Sequence, residues 1–262
     1  MAMTYLDFGH ALLNTKDLDP IYVMLVEANL PEPVLKRWLL AYWCFYSAGV
    51  AAKIAESRCF FQTMLQANRE NWPHGRERRH FRGSAADKAI RYMIDFGSPE
   101  QVVDHMTAGN DFATVAAHAQ EFPMFGPWIS WKIADMAESV MQRVVDFSGA
   151  ELGIYRDPVQ GAALVKFGDK HYPITLEELH EVVNQLTNDF SDCLAPPRYD
   201  RIINIQEVET ILCKYKAHVY WRYYAGMDID EVAEGLHGWG DLAQELSLHL
   251  PAKVVSYARG AV

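Results

Sequence analysis

The sequence predicts an all-α fold, and three observations carry that reading. Apolar and aromatic residues recur at three- and four-residue steps through most of the 262 residues. Caps, prolines and glycines fall where such runs begin and end. No internal repeat or low-complexity tract interrupts the pattern. Half of the residues are apolar and 12% are aromatic, which supports a substantial core and excludes a disordered tail. With 24 Lys+Arg against 34 Asp+Glu, the net charge of −10 also excludes a protein that coats nucleic acid through bulk positive charge. No run of about 18 apolar residues is present, so no membrane-spanning helix and no membrane partner are expected. Met1 to Lys16 lacks a basic start and is interrupted by Asp7 and His10, unlike a secretory signal. The scattered cysteines Cys44, Cys59, Cys193 and Cys213 suit buried free thiols in a reducing cytoplasm.

The elements follow in order. Asp19-Pro20 opens a helix over Ile21 to Ala28. Leu35, Trp38, Leu39, Tyr42, Phe45, Tyr46, Val50 and Ile54 predict one long aromatic-faced helix from Pro33 to Ser57, with a second or bent continuation to Ala67. Asn68 to Gly83 is a polar break, after which Ser84 is expected to cap a helix that Gly97 stops. Ser98-Pro99-Glu100 starts the next, and Asn110 or Asp111 caps Phe112 to Glu121. The helical period resumes from Trp128 through Val144, placing Asp146 at that helix's end. Phe147 to Tyr172, with glycines at 149, 153, 161 and 168, reads as a loop between lobes with a short hairpin near its end. Thr175 and Glu178 form a capping box for Leu176 to Phe190. A long helix from Ile205 to Tyr224 and two short ones complete the chain. The expected organisation is two helical lobes, 1–146 and 147–262, or one continuous fold across both.

Three stretches can carry chemistry. In Phe122-Pro123-Met124-Phe125-Gly126-Pro127-Trp128 a short turn ends in glycine and leads straight into a helix. Glycine permits close backbone approach, and the N–H groups of a helix start bind phosphate oxygens. The segment suits a helix-hairpin-helix in which Phe125, Gly126, Trp128 and Lys132 contact DNA, or an ordinary helix–helix turn. In Trp72 to Gly83, four arginines (Arg76, Arg78, Arg79, Arg82) and two histidines (His74, His80) fall within nine residues. Guanidinium forks match phosphate oxygens two at a time, so this block suits a bound polyanion. The third stretch holds Cys193, Arg198, Glu207, Glu209, Cys213, Lys214, Lys216 and His218. It suits i,i+4 ion pairs on a helix, and a Cys193/Cys213/His218 zinc site is disfavoured because no close cysteine pair anchors it.

The hairpin resembles that of the helix-hairpin-helix DNA glycosylase superfamily, in which an essential aspartate lies about twenty residues past the hairpin glycine. Asp146 stands twenty residues past Gly126. Members with lyase activity carry a lysine two residues after that glycine; Trp128 occupies the position here, which disfavours Schiff-base chemistry. The Trp72–Gly83 block, the stretch from Phe122 to Asp135, and Pro196-Pro197-Arg198 with Gln206 to Lys214 together resemble the phage thymine-hypermodification transferases. These are the amino acid:DNA transferases, also called α-glutamyl/putrescinyl thymine pyrophosphorylases. The resemblance runs roughly from Trp38 to Leu236. It implies a glycosylase-like fold and a substrate DNA whose 5-hydroxymethyluracil has been pyrophosphorylated by a DNA kinase. An amine, commonly that of an amino acid such as glycine, then displaces pyrophosphate. No cofactor or metal is called for, and a phage-encoded enzyme would work in the host cytoplasm.

On that reading Arg76, Arg78, Arg79, His80, Arg82, Arg198 and Lys214 bind pyrophosphate. Asp146, Glu207 and His218 are the candidate bases that keep the amine neutral. Trp43, Trp72 and Trp128 offer stacking surfaces for a base drawn out of the duplex. A monofunctional glycosylase using Asp146, and a non-catalytic helical DNA-binding protein, are the alternative readings.

Overall fold

The computed structural model describes residues 3–153 and 155–253. Among them the α-helices are, in chain order, α1 (Tyr5–Thr15), α2 (Pro20–Ala28), α3 (Glu32–Phe45), α4 (Ala48–Glu56), α5 (Phe60–Arg69), α6 (Gly83–Phe96), α7 (Pro99–Met106), α8 (Phe112–Gln120), α9 (Pro127–Ser139), α10 (Arg156–Phe167), α11 (Leu176–Asp189), α12 (Ile205–Val219), α13 (Met227–Leu236) and α14 (Asp241–Ser247). A single 3-10 turn, Arg76–Arg78, separates α5 from α6. Extended pairing among the described residues is confined to the isolated bridges Asp111–Asp146 and Leu194–Ile202. The fold is all-α.

The chain divides into two units, and neither is contiguous. Met24–Asp146 with Val232–Leu250 makes one, called here the hairpin unit; the segment through Val23 with Phe147–Glu231 makes the other, the α12 unit. One boundary falls after Asp146. Further boundaries inside α2 and α13 give each unit a piece from the opposite end of the sequence, where contiguous lobes of 1–146 and 147–262 were expected.

The hairpin unit is built around α3, which is buried on every side from Trp38 to Phe45. The single long helix expected over Pro33 to Ser57 is two helices, because Tyr46 takes left-handed backbone (φ 51°, ψ 41°). Trp38 stacks on Tyr42 at 4.8 Å and Tyr42 on Tyr46 at 4.6 Å. That i,i+4 ladder continues past the break, which is why apolar periodicity alone does not reveal it. Ser84 makes no capping bond. α6 starts at Gly83, whose N–H donates to Asn68 Oδ1 while its carbonyl accepts from Asn68 Nδ2. Lys36 of α3 meets Asp104 of α7 at 2.9 Å, and Asp104 also pairs with Arg143 beyond α9. α9 ends at Ser139, earlier than its periodicity predicts. Asp146 therefore does not close that helix. It lies in extended backbone against the start of α8, accepting from Phe112 N–H (2.9 Å) and donating to the Asn110 carbonyl (2.8 Å).

In the α12 unit, the stretch read as a loop with a hairpin contains helix α10. Gly161 argued against a helix, yet its role is contact: a Cβ there would lie 2.4 Å from the Leu212 carbonyl of α12. Buried Ala162 and Ala163 continue this small face, so the two helix backbones approach closely. Thr175 and Glu178 form the expected capping box of α11, and Asn204 with Glu207 forms another at α12. Buried Asp17 accepts from the Gly226 (2.6 Å) and Ile229 (3.0 Å) N–H groups, capping α13 from the other end of the chain. Gly161→Ala should lower stability by about 1–3 kcal/mol despite alanine's higher helix propensity. Gly149→Ala, where an added Cβ meets nothing within 4 Å, serves as the silent control in urea unfolding. An equal or higher midpoint for Gly161→Ala would show that α10 and α12 tolerate separation.

Candidate active site

The arginine block is held by one of its own members. Arg78 is only 7% exposed, and its Nη1 donates to the Met124 carbonyl in the turn between α8 and α9 (2.8 Å). Its Nε donates to the Cys44 carbonyl near the end of α3 (3.3 Å). The guanidinium lies 4.9 Å from the Phe81 ring centroid and 5.0 Å from that of Phe125. Among the described residues no carboxylate pairs with it. Burial lowers the Arg78 pKa and raises that of the Cys44 thiol to about 12, so the neighbouring sulfur stays uncharged. Arg78 is thus a staple joining loop, turn and α3, where the sequence suggested a pyrophosphate contact. Gly75 completes the junction: its N–H donates to the Phe45 carbonyl (3.0 Å), and an added Cβ would lie 2.5 Å from the Tyr46 carbonyl. His74 is anchored through Nδ1 to the Trp72 carbonyl (2.7 Å), and burial lowers its pKa.

With the loop pinned, Arg76, Arg79, His80 and Arg82 remain exposed. The turn beside it ends at Gly126, exposed and without a side-chain cap on α9. A Cβ at Gly126 would meet nothing within 4 Å. The α9 start therefore presents the Trp128 and Ile129 N–H groups beside a cationic loop, Pro127 having none and Ser130 N–H donating to the Gly126 carbonyl. Trp128 is half-buried, edge-on to Tyr46 at 5.1 Å.

Three expected contacts are overturned by burial. Trp43 is fully buried and donates to Met136 Sδ (3.3 Å), so no base can reach its ring. Phe125 is 4% exposed beneath Arg78. Lys132 faces inward and lies 3.5 Å from buried Asp135. Trp43 and Lys132 are turned inward by the helical phase of α3 and α9, and Phe125 by the turn before α9. Trp72 is half-buried, 5.5 Å from Trp239, and donates to Glu70. Asp146 keeps an exposed side chain.

The remaining candidates belong to the α12 unit. Both Glu207 oxygens are engaged: Oε1 and Oε2 accept from Arg201 at 2.8 and 2.9 Å, and Oε2 also accepts from Asn204 N–H. Lys214 is equally committed, donating to the Asp17 and Leu18 carbonyls and pairing with Asp228 at 2.6 Å. It supports the Asp17 cap where the sequence suggested a pyrophosphate ligand. Burial raises the Asp17 pKa, against the lowering effects of Lys214 and Tyr223. Arg198 is half-buried in the connection before α12.

His218 differs from these. Its Nδ1 donates to the Tyr223 carbonyl (3.0 Å) and its ring stacks on Phe8 at 4.5 Å. A carbonyl only accepts, so the proton sits on Nδ1 and Nε2 is the ring's acceptor in the neutral form. The three residues weighed for zinc have separate partners: Cys213 donates to Glu209, and Cys193 lies 3.9 Å from His10. Asp17, Arg201, Tyr223 and Asp228 were not picked out by sequence reasoning. Only Asp17 had a local signal, an acidic residue beside Asp19-Pro20, and its partners lie some two hundred positions away.

The chain is similar to known proteins along most of its length. A curated relative named glycinyltransferase, from Pseudomonas phage PaMx11, is 38% identical over 268 residues, covering 91% of each chain. A second, named putrescinyltransferase, from Delftia phage PhiW-14, is 26% identical over 258 residues, covering 94% of this chain and 83% of its own. The family model described as amino acid:DNA transferase matches residues 8–222, taking in the arginine loop, the α8–α9 turn and all of α12. The chain belongs to the amino acid:DNA transferase family.

Proposed function

We propose that this transferase displaces pyrophosphate from 5-(pyrophosphoryloxymethyl)uracil in DNA with the amine of an amino acid, glycine being the first candidate. The observation that carries the reading is the pinned loop: Arg78 is spent on structure, which leaves Arg76, Arg79, His80 and Arg82 exposed at a fixed place. Bound pyrophosphate bears several negative charges, and more develops on its bridging oxygen as the bond to the methylene breaks. Preorganised guanidinium groups stabilise both stages. The glycinyltransferase relative supports the choice of glycine. A DNA kinase would supply the activated base, and a phage origin would set the reaction in the host cytoplasm.

In the proposed step the amine nitrogen attacks the methylene carbon and the carbon–oxygen bond breaks. Its electron pair leaves with pyrophosphate, and the nitrogen passes a proton to a base. His218 is the candidate whose geometry leaves an acceptor, Nε2, while Glu207 is held by Arg201. Exposed Asp146 is the alternative. The base remains joined to its sugar throughout. The open α9 start at Gly126 would hold a backbone phosphate without reading sequence.

Arg79→Ala or Arg82→Ala should lower turnover of pyrophosphorylated DNA by about ten- to a hundred-fold, with little change in melting temperature. Arg78→Ala should instead destabilise the protein, since it removes two charged hydrogen bonds worth about 1.5–3 kcal/mol each. Turnover is followed by pyrophosphate release and nucleoside mass spectrometry; a free base or abasic site would overturn the transferase chemistry.

Gly126→Asp should weaken DNA binding without unfolding the protein, because the added carboxylate meets no protein atom and faces incoming phosphate. Equal binding across a salt series would make the turn purely structural.

His218→Gln should reduce turnover by about 10²–10⁴-fold with DNA affinity retained, while Asp146→Asn stays near the parent rate. The reverse pattern in single-turnover assays would assign the proton to Asp146.

A further inference from the structure

The large aromatic side chain most exposed among the described residues stands at a position that glycine ordinarily fills. Trp221 is 85% exposed and lies just past the end of α12 with φ at 59°. Its N–H donates to the His218 carbonyl and the next N–H, of Arg222, to the Ala217 carbonyl, both at 2.9 Å. These paired bonds form a Schellman ending with Trp221 at its left-handed residue, where a side chain is disfavoured and glycine is preferred. Strain of this kind persists when something offsets it. Among the described residues nothing does: the indole makes no ring contact and is open to solvent.

The surroundings define the missing partner. Tyr220 is 40% exposed with Lys170 Nζ 3.6 Å from its ring centroid, and Tyr224 is 52% exposed. Arg222 is exposed and has no carboxylate partner among the described residues. Of the carboxylates nearby, Asp228 is paired with Lys214 and Asp230 with Lys253. Exposed aromatic faces interleaved with unmatched cations suit bases and phosphates together. We propose that Trp221 is a nucleobase-stacking residue of this transferase, with Lys170 and Arg222 meeting the adjoining DNA backbone. The proposal rests on DNA being the substrate, as the reading above holds.

The test compares Trp221→Gly and Trp221→Phe with the parent, using a labelled duplex carrying 5-hydroxymethyluracil and, separately, thermal melting. Trp221→Gly should weaken binding by about tenfold. It should also raise the melting temperature by about 2–4 °C, since glycine relieves the left-handed strain. Trp221→Phe should restore most of the affinity. Unchanged binding by Trp221→Gly, a lowered melting temperature, or failure of phenylalanine to rescue would each overturn the proposal. Pyrophosphate release by the parent is measured in parallel. A parent that binds DNA without releasing pyrophosphate sinks the transfer chemistry alone, whereas release with Trp221→Gly binding normally sinks the stacking role alone.

Discussion

The guanidinium of Arg78 is the interaction on which the geometry of the cationic loop depends. It reaches one carbonyl on α3 and one in the turn between α8 and α9, and it is covered by the rings of Phe81 and Phe125. A buried cation with no carboxylate is costly unless its N–H groups find acceptors and its face finds π electrons. Here Nε and Nη1 find carbonyls on segments that would otherwise be separate and two rings cover the face, while Nη2 is buried without a partner among the described residues. The penalty for releasing Arg78 keeps the loop seated, and a seated loop can display its other arginines at a constant spacing. Preorganisation of this kind is what a developing pyrophosphate charge requires, because flexible cations would have to be ordered at the moment of reaction.

The α12 unit shows a parallel division of labour along one helix. Glu207 caps the helix start and holds Arg201, and Lys214 anchors the Asp17 connection. Asp17 in turn satisfies the first N–H groups at α13. Charged residues that look chemical in a linear motif are here consumed by backbone groups that would otherwise lie buried without partners. His218, one turn beyond Lys214, spends one ring nitrogen on the Tyr223 carbonyl and keeps the other. Its stacking on Phe8 fixes the ring plane, so the same contacts that stabilise the helix end also orient an acceptor.

Aromatic residues follow the same economy. The ladder from Trp38 through Tyr42 to Tyr46 fills the centre of the hairpin unit, and Trp43 and Phe45 complete it. What remains at the surface includes Tyr92 and Phe96 on the outer face of α6, and rings such as Trp221 at chain reversals, where backbone geometry rather than helical phase decides which way a ring points. Tyr46 and Trp221 both adopt left-handed backbone, one edge-on to Trp128 and the other facing solvent.

The sequence by itself determined the all-α class, the caps at Ser98, Asp111 and Thr175 as local signals, and the family motifs at Trp72–Gly83 and Phe122–Asp135. Those features depend on residues within a few positions of one another, so propensity, capping chemistry and motif spacing suffice. Tertiary structure alone decided the break at Tyr46, the helix around Gly161, the early end of α9 and the exchange of chain ends between units. It also decided which charges work on the fold. Arg78 and Arg79 are neighbours in the same motif, yet one is buried against carbonyls near residues 44 and 124 and the other faces water. Nothing in their local sequence distinguishes them, because a side chain's role is set by the polar groups and rings that distant segments bring to it.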